Sequence, residues 1–173
     1  MIKETDTPFF AIWDVDTAVD CKAIVRVLSE LQQEKADIAY PYNGIYMDTG
    51  DILRKLYIKK KDISSLCRNQ NKMRPLYNRI IVGGAVFFNR KKFYEIGMDN
   101  EEQYGWGNDD FDRFYRARNY GLKIYNADNV LFHLSHPRSL NSQYRSFIQQ
   151  QESAEKLKIT EYLSKNEIIK LKE

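Results

Sequence analysis

Four short groups of residues have types and spacings that could do chemistry. The first is Asp14-Val15-Asp16, at the end of the apolar run Phe9 to Trp13. Two carboxylates two apart at the end of a buried strand can offer oxygen ligands to a divalent cation while the middle residue stays in the core. Hard cations that accompany phosphates favour such sites. Taken alone the signal is weak, and a solvated turn is the plainer reading of the pair. The second group is His133-Leu134-Ser135-His136, which contains the only 2 histidines of the chain. Two imidazoles this close suit a transition-metal site with mixed nitrogen and oxygen ligands. Pro137 and the apolar run before His133 imply a strand or turn, so the spacing secures only one of them for an ion. A pair of structural histidines is the plain alternative.

The third group is Asn108-Asp109-Asp110, preceded by Gly105-Trp106-Gly107. The positive end of a helix favours ionised carboxylates, so capping alone explains one of these acids. Two adjacent acids beside a tryptophan also suit sugar chemistry, where a carboxylate takes a proton from a hydroxyl and an aromatic face stacks on the ring. The fourth group is Gly83-Gly84, where a strand bulge or close packing competes with the close approach of a ligand to the backbone.

The elements that must position these groups follow from periodicity. Phe9 to Trp13 reads as a strand covered on both faces. Asp20 caps a helix on which Ile24, Val27, Leu28 and Leu31 recur, and Ile38 to Tyr40 resumes as a strand. Residues 43–78 read as an excursion with one or two short helices. A strand is expected from Ile80 through Gly83-Gly84 to Phe88, then a short helix from Arg90 to Ile96. A loop from Glu101 opens a helix near Asn108 that Gly121 ends. Lys123 to Tyr125 and Val130 to His133 read as short strands. From about Ser142 the chain reads as helical, with Tyr144, Phe147, Ile148 and Gln151 on one face and a Ser164/Glu167 capping box before a last helix.

The 173 residues and 43% hydrophobic content give one domain with a real core. With 27 basic and 24 acidic residues the net charge is only +3, which does not suggest a nucleic-acid partner. Cys21 and Cys67 make no disulfide framework and fit a reducing compartment. The five-residue apolar run near the amino terminus is too short for a signal or a membrane span. The expected location is therefore the cytoplasm, with peripheral association at the inner face of the membrane left open.

In this order, the residues resemble the GT-A-fold glycosyltransferases. The likeness is greatest to the carboxy-terminal catalytic region shared by animal β-1,4-galactosyltransferases and the bacterial chondroitin-polymerase-like enzymes of polysaccharide biosynthesis. It rests on Asp14-Val15-Asp16, on Val82-Gly83-Gly84-Ala85 with Phe93 and Gly97, on Tyr104 to Asp112 with Arg116 and Gly121, and on His133 to His136. It implies an α/β fold, a GT-A-like mixed sheet flanked by helices. The catalytic and acceptor half would span residues 1–138, with a helical carboxy-terminal extension over 139–173.

The resemblance further implies Mn2+ or Mg2+ on Asp16 and His136, with His133 as a further ligand. Asp14 would lie near the ion or the ribose, and Asp110 would be the base. Asp109 would contact a substrate hydroxyl, Trp106 would stack on the sugar, and Gly83 and Gly84 would admit the donor. The implied reaction moves a hexose or N-acetylhexosamine from a UDP-sugar to a glycan hydroxyl with inversion.

Three departures qualify this. Asp109 is shorter than the family's Glu, and Phe111 stands where the animal enzymes have an acid. Ile81 is smaller than their aromatic beside the donor, which would admit an N-acetyl group. Finally, only eight residues precede Phe9, so the family's uridine-binding βαβ portion is expected to be missing: either the chain is a truncated or split enzyme that self-associates or needs a partner, or it is a remnant with an incomplete donor site. The competing expectations are a non-catalytic glycan-binding or assembly module, a glycoside hydrolase using Asp109 and Asp110, and a phosphohydrolase using Asp14, Asp16 and the histidines. Adjacent acids on one helix turn point in different directions, against the spacing of two carboxyls across a scissile bond that hydrolysis needs.

Overall fold

Phe9–Trp13 forms strand β1 in the structure, a computed structural model that describes residues 4–101, 103, 108–137 and 144–171. Thr17–Ala18 is β2, Ile38–Tyr40 is β3 and Tyr46–Asp48 is β4. Arg74–Pro75 is β5, Ala85–Asn89 is β6, Ile124–Asn126 is β7 and Leu131–His133 is β8. The helices are α1 (Cys21–Gln32), α2 (Gly50–Lys60), α3 (Ile63–Arg68) and α4 (Arg90–Glu95). They continue with α5 (Asn108–Tyr120), α6 (Phe147–Tyr162) and α7 (Lys165–Lys170). No helix among the described residues is long and apolar enough to cross a membrane.

The strands form two sheets, one in the order β1-β6-β3-β7 and one in the order β2-β8-β4-β5. In the second, β8 runs antiparallel to β2 and parallel to β4, so the architecture is mixed α/β. The chain divides into two compact units. One comprises Met1–Phe10, Phe88–Lys123 and Arg138–Glu173, and the other Ala11–Phe87 and Ile124–Pro137.

The second unit owes its small sheet to side-chain alternation. Ala18, Phe132 and Met47 stand in register across β2, β8 and β4. All three are buried with Leu66 of α3 and Met73. Because neighbouring residues on a strand face opposite ways, the next register, Thr17, His133 and Asp48, belongs to the other face. Packing α3 under one face of this sheet thereby fixes where His133 points. Helix α1 is capped by Asp20, whose side chain accepts from the Lys22 amide, and it buries Ala23, Val27 and Leu31.

In the first unit, the rings of Phe10, Phe88 and Phe93 pack with centroids 4.8–5.3 Å apart. Helix α5 buries Asp112, Arg113, Arg116 and Ala117. It ends at Gly121, whose φ of +89° is the left-handed stop that glycine allows. The Ser164/Glu167 capping box opens α7 as expected.

Several expectations need correction. Strand β1 is half-buried rather than covered on both faces, with Ala11 exposed, because it lies at the edge of its sheet. Residues 80–84 are not strand, and β6 begins only at Ala85 because Gly84 adopts φ +77° and breaks the extended run. The excursion over 43–78 holds helices α2 and α3 but also strands β4 and β5, too short to show alternation. On α6, Phe147 and Ile148 are exposed, at 71% and 66% of their surface, and the helix instead buries Ser153 and Thr160. The expected helical start at Ser142 lies outside the described residues.

Gly84 also supplies a stability prediction. A Cβ built there would lie 1.5 Å from the Tyr46 hydroxyl oxygen and 2.9 Å from a Leu131 methyl carbon. Gly84→Ala therefore adds steric overlap to left-handed backbone strain. It is expected to lower stability by about 2–4 kcal/mol, measured as a fall in the urea-unfolding midpoint. An unchanged midpoint would contradict the packing described.

Candidate metal centre

Asp14-Val15-Asp16 is not the end of a buried strand but the turn between β1 and β2, and Val15 is fully exposed. The turn is held by its backbone. The Asp14 amide donates to the Gly84 carbonyl at 2.9 Å, and the Asp14 carbonyl accepts from the Thr17 amide at 3.2 Å and the Thr17 hydroxyl at 2.9 Å. The Thr17 hydroxyl also lies 3.0 Å from the Gly84 carbonyl. Just past β8 the Leu134 amide donates to the Asp16 carbonyl at 2.7 Å, continuing the antiparallel pairing of Thr17 with His133. The short β2–β8 ladder thus carries the Asp16 turn to the segment holding both histidines.

The result is a three-residue cluster. His136 Nε2 lies 2.7 Å from Asp16 Oδ2, and His133 Nε2 lies 3.5 Å from the same oxygen. One ligand atom from each residue falls within 4.8 Å of the others. His133 and Asp16 are half-buried and His136 is exposed, so the cluster is open to solvent on one side.

The tautomers follow from what each Nδ1 meets. His133 Nδ1 lies 3.1 Å from Asp48 Oδ1, and His136 Nδ1 lies 3.0 Å from the Pro137 carbonyl oxygen. Both partners are acceptors, so each Nδ1 is assigned the proton and each neutral ring turns a lone pair on Nε2 toward Asp16. A lone pair set against a carboxylate oxygen at 2.7 Å is repulsive unless a proton or a cation is shared between them. The donor set therefore fits a divalent cation: one carboxylate oxygen and two imidazole nitrogens, each oriented by its other ring atom. Ligand atoms ~2.1 Å from an ion stand roughly 3 Å apart at a right angle and roughly 3.4 Å apart at a tetrahedral one. The observed separations of 2.7 and 3.5 Å are close to that range.

Asp48 was not legible as a site residue. It sits on β4 directly across from His133, and its Oδ1 also accepts a short hydrogen bond from the Ser135 hydroxyl. The same corner holds the histidine segment by its backbone. The Thr49 amide donates to the His133 carbonyl at 3.1 Å, the Ser135 amide to the Thr49 hydroxyl at 3.3 Å, and the Gly50 amide to the Ser135 hydroxyl at 3.0 Å. Arg54 adds a bond to the Ser135 carbonyl.

The other candidates fall elsewhere. The space beside Gly84 is filled by Tyr46, as noted, and the Gly83 carbonyl accepts from the buried Tyr42 hydroxyl. Both glycines are buried, so packing rather than an approaching donor accounts for them. Trp106 lies outside the described residues.

Asp109 and Asp110 begin α5 in the first unit. There the nearly buried Arg113 pairs with Asp99 at 2.7 Å, with Asp109 at 3.2 Å and closely with Asp110. Burial works against the Arg113 charge, but Asp110, Asp109 and Asp99 outweigh it and hold the guanidinium above its ordinary value. Arg113 was not anticipated as a site residue, although its i−3 and i−4 spacing to the two acids was visible.

A family model described as the N-terminal domain of galactosyltransferase matches residues 64–139. The matched stretch includes Gly83-Gly84, Asp109-Asp110 and both histidines, and leaves out Asp16 and Asp48. No curated protein matches the sequence. Over that stretch, less than half of the chain, the sequence is similar to a galactosyltransferase domain.

Proposed function

We propose that the chain is the catalytic part of a metal-dependent, inverting glycosyltransferase that moves a hexose or N-acetylhexosamine from a UDP-sugar to a glycan hydroxyl. The observation that carries this reading is the convergence of Asp16, His133 and His136, alongside the galactosyltransferase match over residues 64–139. In this reading the three side chains hold Mn2+ or Mg2+. The bound ion would neutralise charge on a leaving diphosphate. Asp14, exposed on the same turn, would lie near the ion or the ribose. Asp110 accepts the proton of the attacking hydroxyl. Arg113 keeps that carboxylate in place and flanked by Asp109, which is free to accept from a substrate hydroxyl on its exposed side.

The test is release of UDP from UDP-hexose and UDP-N-acetylhexosamine in the presence of Mn2+ and glycan acceptors. Asp110→Asn, which keeps the shape and removes the base, is expected to lower kcat by roughly 10²- to 10⁴-fold with little change in Mn2+ affinity. Wild-type turnover in that variant would remove Asp110 from the chemistry. Failure of the wild-type chain to bind either Mn2+ or UDP by calorimetry would favour a non-catalytic glycan-binding module. Phosphate release from a nucleotide without any acceptor would favour a phosphohydrolase.

A further inference from the structure

Among the groups around the histidine segment, Asp48 has a role that neither the motif likeness nor the matched stretch assigns. Its carboxylate gathers two donors on one oxygen, Oδ1: the His133 ring through Nδ1 at 3.1 Å and the Ser135 hydroxyl. Asp48 and His133 sit opposite each other on parallel strands, so the contact is set by sheet register and not by a flexible loop. The following residues, Thr49, Gly50 and Arg54, bind residues 133–135 at four further points, three on the backbone and one on the Ser135 hydroxyl. The whole β4–α2 corner is thus a cradle for the segment between the two histidines.

We infer that Asp48 is a positioning residue for the metal centre. It holds His133 in the Nδ1–H tautomer with Nε2 directed at Asp16, and through Ser135 it fixes the path that carries His136 to the same oxygen. The inference rests on the metal reading above. Its chemistry is general: an imidazole ligand binds through the nitrogen whose partner nitrogen donates to a carboxylate. Without Asp48, His133 would divide between two tautomers and a range of ring angles. Only a fraction of molecules would then present Nε2, and affinity falls by that fraction. In this role Asp48 acts through His133.

The experiment uses the full chain and Mn2+ alone as the probe. Calorimetry is run on the wild type, Asp48→Ala and Asp48→Asn, and long-range 1H–15N correlation spectra report which ring nitrogen of His133 carries the proton. Asp48→Ala is expected to weaken Mn2+ binding about 10- to 100-fold and to lose the Nδ1–H preference. Asp48→Asn keeps an acceptor without the charge and is expected to lose only about 3- to 10-fold. A merely structural role would lower the unfolding temperature without changing the tautomer.

Wild-type Mn2+ affinity in Asp48→Ala would overturn the inference. Should that variant fail to fold, unchanged affinity in Asp48→Asn overturns it instead. If the wild type itself binds no Mn2+, the metal reading fails. The His133 tautomer in wild type and variant then still decides whether Asp48 orients the ring.

Discussion

Asp16→Asn is expected to weaken Mn2+ binding by at least ~100-fold, about 2.7 kcal/mol, while leaving the fold intact. Asp16 supplies the only carboxylate oxygen in the cluster among the described residues, and both Nε2 atoms face it, at 2.7 and 3.5 Å. Removing its charge leaves two neutral imidazoles, a donor pair too soft for a hard cation without an anionic oxygen. The fold survives because the turn is held by main-chain bonds of Asp14, Asp16 and Thr17, which the substitution keeps. The side chain itself is 29% exposed. Calorimetry with Mn2+, paired with a thermal melt in the absence of metal, separates the two effects. Tight Mn2+ binding by Asp16→Asn would place the ion elsewhere.

The largest stability effect is expected at Asp112. Asp112 and Arg116 are both about 1% exposed. The Arg116 Nε donates to Asp112 Oδ2 at 2.8 Å, its Nη1 donates to the Ile96 carbonyl, and the Thr160 hydroxyl donates to Asp112 Oδ1 at 2.8 Å. This network joins α5, the end of α4 and α6 without an apolar stripe on α6, which explains why the face expected at Phe147 and Ile148 stays exposed.

Asp112→Ala would leave a buried guanidinium without its counter-charge, and breaking such a pair costs about 3–5 kcal/mol. Replacing both partners with apolar residues of similar volume, Asp112→Leu with Arg116→Met, is expected to cost much less. Urea denaturation of the two variants measures this. A loss below ~1 kcal/mol in Asp112→Ala would contradict the burial described.

Much of the fold was legible where a local rule acts alone. The Asp20 cap, the α1 stripe of Val27 and Leu31, the Gly121 stop and the Ser164/Glu167 box all depend on residues within a turn or two. What failed depends on distant neighbours. Whether β1 is covered on both faces is decided by its edge place beside β6, which no five-residue run encodes. Gly84 invited a ligand-centred reading because its other explanation, Tyr46, lies far away in sequence. Several residues in the motif likeness also belong to the framework: Phe93 and Arg116 are core, and Gly97 and Gly121 take positive φ.

The site divides the same way. The Asp-x-Asp and the two histidines were visible because their types are chemically distinctive. Asp48 was hidden because a single acid followed by Thr and Gly is ordinary; only the β4–β8 register gives it meaning. The charge was too coarsely described by its total: residues 50–79 hold nine Lys and Arg against Asp51 and Asp62, so that stretch is locally positive.

The claim on which everything else depends is that Asp16, His133 and His136 bind one ion together. Electron spin-echo spectroscopy of Mn2+ bound to the full chain tests it, because imidazole nitrogen couples to the metal's electron spin. The expected spectrum shows nitrogen modulation that is lost in His136→Ala together with His133→Ala. Bound Mn2+ with no nitrogen coupling, or with coupling unchanged by those substitutions, would contradict the account.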